Sequence, residues 1–166
     1  MLPLLLAIAL GAATPEAARG TYRVEATVRT AGVPLLRTLE LRGDVVLRPG
    51  DGPGAVRARL AARGHACELV GTIAENGALA FGRGQRCSIA LDDPGVRGRV
   101  EATLRSGEGR VDDGRIALRL EVGLAGTVRI PTGGVPGLGG EAALPVDGDA
   151  SVRAEGRRDN SRGAGP

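Results

Sequence analysis

This chain of 166 residues is almost without aromatic side chains: Tyr22 and Phe81 are the only two, and tryptophan is absent. Proteins that hold single-stranded nucleic acid stack its bases on aromatic rings. Sugar-binding sites use the same rings as platforms. Membrane β-barrels carry aromatic girdles at both interfaces. All three functions lack their usual contact surface here. Lysine is missing too, so all 22 basic residues are arginine. The chain is also rich in Ala, Gly and Val, a vocabulary that biased genomic base composition produces without selection for arginine chemistry. Against 19 acidic residues the net charge is +3. The two signs alternate along the chain, as on an ordinary solvated surface. No specific nucleic-acid partner is expected from such a small excess.

Long apolar runs are lacking except at the start. Leu2 to Leu10 is apolar but too short to span a bilayer. Gly11, Ala12 and Ala13 follow with the small side chains of a cleavage site, so residues 1–13 read as a secretory signal peptide. No basic residue stands between Met1 and the run, which means an atypical signal or a true start upstream. No cysteine follows for lipid attachment. No later segment reaches the length of a membrane helix, so no transmembrane segment is expected after cleavage. The expected location is secreted or periplasmic.

What the chain has in abundance is alternation with a period of two, the mark of half-buried strands. In Val96–Arg105, Val96, Gly98, Val100, Ala102 and Leu104 share one face and Arg97, Arg99, Glu101, Thr103 and Arg105 the other. Ile116, Leu118, Leu120, Val122 and Leu124 repeat the pattern, as do Tyr22, Val24, Ala26 and Val28. Val56, Ala58, Leu60 and Ala62 oppose Arg57, Arg59 and Arg63. Leu35, Leu39, Leu41, Val45 and Leu47 lie on one parity. Turn chemistry separates these runs: PGDGPG at 49–54, Asn76-Gly77, DDPG at 92–95, SGEG at 106–109 and DDG at 112–114. No helical period intervenes. The expectation is an all-β domain over 20–130, a single antiparallel meander of about eight to ten strands that closes as a small β-barrel or folds as a two-sheet sandwich. Residues 131–141 read as a Gly/Pro linker or loop, 142–155 as an added edge strand, and 156–166 as a disordered tail. RVEATVRT at 23–30 returns as RVEATLRS at 99–106. The flanks do not continue the match, so shared vocabulary explains it better than duplication.

Cys67 and Cys87 are the only cysteines. An even count in an exported chain suggests a disulfide. Register adds a second argument. Asn76-Gly77 marks a hairpin tip, and Cys67, Leu69, Ile73, Leu79, Phe81 and Cys87 all have odd numbers. They share a face only if paired positions sum to an even number, which a strict two-residue turn forbids. A three-residue connection or a bulge at Gly82 or Gly84 is therefore expected. One such register puts Cys67 opposite Cys87; a shift of two leaves them diagonal. A zinc site from His65, Cys67, Cys87 and Asp92 lacks paired CxxC spacing, and a redox motif would need CxxC.

No catalytic constellation emerges. His65 is the sole histidine. Ser88, Ser106 and Ser151 are not framed by a GxSxG elbow. Asp92-Asp93 and Asp112-Asp113 sit in turns, and GLGG near Gly137 precedes no helix. Glu25 and Glu101 lie on wet strand faces, where nothing selects them as an acid–base pair. No enzyme activity, cofactor or metal is expected. Gly20-Thr21-Tyr22, opening the first strand, resembles the Gly-X-Trp that opens the first strand of lipocalins, with Tyr22 in the tryptophan position. The match spans three residues and implies a barrel with an apolar cup. The leading expectation is therefore a non-enzymatic binding domain. Val24, Ala26, Val100, Ala102, Leu118 and Leu120 either line a pocket for a small apolar ligand or form plain core. In the second case Arg57, Arg59, Arg97 and Arg99 either meet an anionic envelope partner or stand as ordinary solvated face. Oligomeric state is open.

Overall fold

The computed structural model describes residues 16, 18–33, 38–93, 95–133 and 140–162. The signal-peptide segment, Leu35, most of the Gly/Pro loop, 134–139, and residues 163–166 of the tail lie outside the described residues. Nine strands follow in chain order: β1 (Gly20–Ala31), β2 (Thr38–Pro49), β3 (Ala55–Ala62), β4 (His65–Ile73), β5 (Ala78–Phe81), β6 (Arg86–Asp93), β7 (Val96–Asp112), β8 (Arg115–Pro131) and β9 (Glu141–Arg158). All pair antiparallel in one sheet. The sheet closes in a ring, roughly barrel-like, so the all-β meander holds and the two-sheet alternative falls away.

The ring has eight positions, because β5 and β6 occupy one between them. Both pair with the long β7: β5 against Gly107–Arg110 and β6 against Val96–Thr103. Closure runs from β4 to β5, on to β7, β8 and β9, and back to β1. Alternation then does what the pattern requires. Tyr22, Leu47, Val45 and Ile116 are the largest fully buried side chains, all on the inner parity of their strands. Burying a side chain such as Leu47 contributes about 1.5–3 kcal/mol.

Tight turns are written in the expected residues. Ala62 pairs with His65 across Arg63-Gly64, and Asp112 with Arg115 across Asp113-Gly114. All four turn residues have positive φ (48°, 81°, 45° and 69°), the type I′ geometry that matches strand twist.

Three expectations are corrected. SGEG at 106–109 is not a turn: β7 continues through it, after a register shift between Leu104 and Ser106 that passes its inward face from even to odd positions. Its glycines face inward, where the core needs space rather than a bend. A Cβ on Gly107 would sit 3.0 Å from Phe81 and 3.1 Å from Leu120, and one on Gly109 would come 2.5 Å from Leu118 and 2.6 Å from the Ala117 carbonyl. The second correction concerns 142–155. This segment belongs to β9, which is no edge strand but lies between β1 and β8, paired with both. The third is the tail. β9 continues to Arg158 and a 3-10 turn follows over Asn160–Arg162. Gly156 and Arg158 complete the ladder against Val24 and Tyr22 of β1, where the sequence shows only polar residues and glycine.

The repeated RVEAT segments fall on β1 and β7. A duplicated half of four strands would put the copy at the fifth ring position; β7 is the sixth. Shared vocabulary remains the explanation.

Gly109→Ala is expected to destabilise the fold by about 1–3 kcal/mol through overpacking against Leu118. Gly95→Ala, with no atom within 4 Å of the added Cβ, should stay within about 0.5 kcal/mol of the parent. Urea denaturation of the two variants decides it: equal midpoints would mean that β7 has slack at Gly109.

Candidate functional site

The two ends of the ring differ. One end carries the start of β1, the end of β9 and the β2–β3, β4–β5 and β7–β8 turns. Tyr22 seals it. Its ring is fully buried and lies under the Arg158 guanidinium, whose central carbon is 5.5 Å from the ring centroid. Arg158 Nη2 donates to the Tyr22 hydroxyl at 3.0 Å, and that hydroxyl donates to the Ala18 carbonyl at 2.6 Å. Ala18, itself 2 % exposed, lies over this end as a lid. Arg158 sits here because Tyr22 and Arg158 are direct ladder partners.

The seal extends beyond the strand. Asp159 accepts from Ser161 through both hydroxyl and backbone N–H, and from Arg23 Nε at 3.0 Å. The Ser161 bonds chiefly, then the Arg23 charge, hold its carboxyl below the ordinary carboxylate value, against the opposing effect of desolvation.

At the other end the inner face is apolar but not packed away. Val28 and Leu39 face each other across β1 and β2, Val128 and Leu144 across β8 and β9, and Ile89 and Val100 across β6 and β7. Of these six, only Val100 is buried; the other five are half-buried. None of the six belongs to the continuous core cluster, which is centred on Tyr22, Leu47, Leu69, Phe81 and Leu118. The core cluster thus occupies the sealed half, and toward the ends of β1, β6 and β8 the inner face carries these half-buried apolar side chains beside buried Val146 and Ala150.

The predicted pocket-or-core set divides along this boundary. Val24, Leu118 and Leu120 are core, and Ala26 packs against them. Val100 is buried outside the cluster and Ala102 is half-buried, both toward the open half. The open-half residues that sequence reasoning did not single out (Ile89, Val128, Leu144) carry the same alternation. What distinguishes them is position along the strand, which the pattern alone does not give.

The four predicted arginines are exposed but not gathered. Arg57 and Arg59 lie on β3 toward the sealed end, and Arg57 bridges to Asp51 at 2.5 Å. Arg97 and Arg99 lie on β7 toward the open end, and Arg97 reaches Asp92 at 3.6 Å. The β4 and β5/β6 positions separate the two pairs around the ring. His65 is exposed at the start of β4 opposite Ala62, and its side chain has no hydrogen bond or ion pair to the described residues. Two hollows occur, the first reaching inner-face Leu47, Val56 and Ile73 at the Tyr22 end and the second on the outer face. One of 220 Å³ lies beside the Pro49–Gly54 turn and Ala18; a shallower one of 470 Å³ lies over Arg115, Glu155 and Arg157.

The disulfide is present: Cys67 and Cys87 are joined, with Cα atoms 5.6 Å apart. The hairpin tip is the expected three-residue connection, with Ala74 and Ala78 bracketing Glu75–Gly77 and Gly77 N–H bonded to the Ala74 carbonyl at 2.9 Å. Positions in β4 and β5 sum to 152, as in Gly71 with Phe81. Cys67 and Cys87 sum to 154, so two additional residues are accommodated between Phe81 and Cys87, around Gly82–Gln85. Both sums are even, and the parity argument holds.

No family model matches the chain, and no curated protein matches its sequence. Among solved structures, the crystal structure of Rv2717c from M. tuberculosis is similar with a TM-score of 0.34 and 16 % identity, over 93 % of this chain and 99 % of that one.

Tyr22→Phe is expected to cost about 1–3 kcal/mol, because it strands a buried carbonyl and a guanidinium donor together. A thermal melt that matches the parent would remove the hydroxyl from the seal. The depressed Asp159 pKa gives a pH dependence with a definite sign. Its stabilisation is whole above the ordinary value of 3.8 and fades as pH falls below it. The Ser161 amide resonance should therefore move on acidification below that value and hold steady from pH 7 to 5. A flat titration down to pH 2 would contradict the Asp159–Ser161 link.

Proposed function

We propose that this protein is a non-enzymatic carrier or sensor that holds a small apolar molecule against the inner wall of its open half. One observation carries the reading: the ring is sealed and packed at the Tyr22–Arg158 end, while Val28, Leu39, Ile89, Val128 and Leu144 stay half-buried at the other. A chain with no binding task gains stability from closing such a wall, because each buried methylene adds about 0.8 kcal/mol. Partly sealed apolar concavities are the usual form of small-molecule sites. The described wall is mainly aliphatic, with the Thr30 and Thr132 hydroxyls and His65 on the same parity toward its rim, so it supports recognition chiefly by shape and desolvation.

Location belongs to the same reading. A formed disulfide fits an oxidising compartment, and the apolar Leu2–Leu10 run fits a signal peptide. Among the described residues no helix is long and apolar enough to cross a membrane. We place the protein outside the cytoplasm, secreted or periplasmic.

The test is titration with the uncharged fluorophore N-phenyl-1-naphthylamine. Saturable binding with a blue-shifted emission is expected for the parent. Val128→Asp, which sets a charge on the inner wall, should weaken it at least about tenfold, since burying an unpaired carboxylate is costly. Arg59→Ala, on the outer face, should leave it unchanged. Absence of saturable binding, or equal loss in both variants, would refute the carrier reading.

A further inference from the structure

The ring has one weak joint, and it lies in the wall of the proposed cup. β4 and β5 share only three ladder pairs, Gly71–Phe81, Thr72–Ala80 and Ile73–Leu79. By contrast, β8 and β9 pair without interruption from Arg115–Arg157 to Pro131–Glu141. Beyond Gly71 the side of β4 that faces β6 has no ladder. The two additional residues at Gly82–Gln85 carry the chain out of register, and β6 pairs only with β7. From Val70 toward His65, β4 therefore faces β6 across a gap in the ladder, the Cys67 and Cys87 Cα atoms 5.6 Å apart.

Apart from one long backbone bond, Gly82 N–H to the Val70 carbonyl at 3.4 Å, two devices cross that gap. The first is the Gln85 carboxamide. Its Oε1 accepts from the Val70 N–H at 2.6 Å and its Nε2 donates to the Val70 carbonyl at 2.7 Å, so one side chain supplies both bonds that a neighbouring strand would have made. Nε2 also donates to the Gly82 carbonyl at 2.8 Å, which fixes the amide in place. Gln85 can reach across because its own backbone is held on the other side, where its carbonyl accepts from Leu104 N–H at 2.8 Å. The second device is the Cys67–Cys87 disulfide, on the inner face, where Cys67 packs against the edge of the core. Both cysteines are half-buried, within reach of a small thiol reagent. The outer side of the joint is apolar as well: Val70 is 52 % exposed, the one large hydrophobic so exposed among the described residues.

We propose that the β4–β6 gap is a lateral gate into the cup, closed by the disulfide and opened by its reduction. The reaction is an exchange with a dithiol. The dithiol gives two electrons and two protons, Cys67 and Cys87 leave as thiols, and the reagent becomes a cyclic disulfide. With the covalent tie gone, only the Gln85 clamp and the long Gly82 N–H to Val70 carbonyl bond, 3.4 Å, span the gap, and so few neutral hydrogen bonds at an exposed edge are a weak restraint. The sealed end is untouched, because Tyr22, Leu47 and Ile116 take no part in the joint. The gate is a property of the fold alone; its use for ligand entry and exit rests on the carrier reading above.

Amide hydrogen exchange of the intact protein, without ligand, tests the gate. Reduction with dithiothreitol should accelerate exchange at Val70 and Glu68 at least about tenfold and leave Tyr22, Val45 and Leu47 slow, as local opening requires. The Cys67→Ser/Cys87→Ser double variant should show the same pattern without reductant. Gln85→Ala in the oxidised protein should speed Val70 alone. Unchanged exchange at Val70 after complete reduction overturns the proposal, and so does uniform acceleration of all amides, which would mean global unfolding. Release of N-phenyl-1-naphthylamine should quicken on reduction. An unchanged release rate beside local opening at Val70 would overturn the gate as the ligand's route, whereas a parent that never binds the probe would count against the carrier reading and leave the exchange result to decide the gate.

Discussion

Everything in this molecule depends on joining β4 to β7. Six of the eight ring joints are made between single strands: the hairpins β1–β2, β2–β3, β3–β4, β7–β8 and β8–β9, and the meeting of β1 with β9. The remaining position has to be filled by the chain between Ala78 and Asp93, and that segment serves two neighbours with different spacing. Toward β7 it pairs almost continuously. Toward β4 it is two residues too long. The surplus ends the ladder at Gly71, and side chains finish what the backbone cannot. Gln85 and the disulfide are thus not ornaments on a complete sheet but the completion of an incomplete one.

The packing follows from scarce aromatics. With only Tyr22 and Phe81 available, small side chains must approach closely for the interior to be filled. Inward glycines at 107 and 109 let Phe81, Leu118 and Leu120 occupy space that a second row of side chains would have taken. Tyr22 then does the work of a larger cap by recruiting Arg158 across the β1–β9 ladder. The filled half and the open half are two outcomes of one alternating pattern, and glycine placement and end-capping decide between them.

The alternation was legible in every run except at the Leu104–Ser106 register shift of β7, because burial on one face forces a period of two. So were the turns in which Asn, Asp or Arg precede glycine, where positive φ is the whole reason for the residue. The parity of Cys67 and Cys87 was legible for the same reason: a strand cannot change face without a bulge. Ser106–Gly109 misled because glycine serves both turns and close packing, and only the position of Phe81 across the ladder separates the two. Arg153–Arg158 misled because a strand wedged between two others can have a charged outer face and still be central; its inner residues, Ala154 and Gly156, are too small to signal burial. The open half was invisible, since nothing in Ile89 or Leu144 distinguishes a wall from a core.

The neighbourhood of β1 and β9 reaches beyond the static fold. Tyr22 and Arg158 are 136 residues apart in sequence, and the ring has no closed form until the last strand is present. Most hairpins can form as they emerge, but the final joint must wait, and distant pairings of this kind are slow to find. A partial chain presents two unsatisfied strand edges and no sealed end.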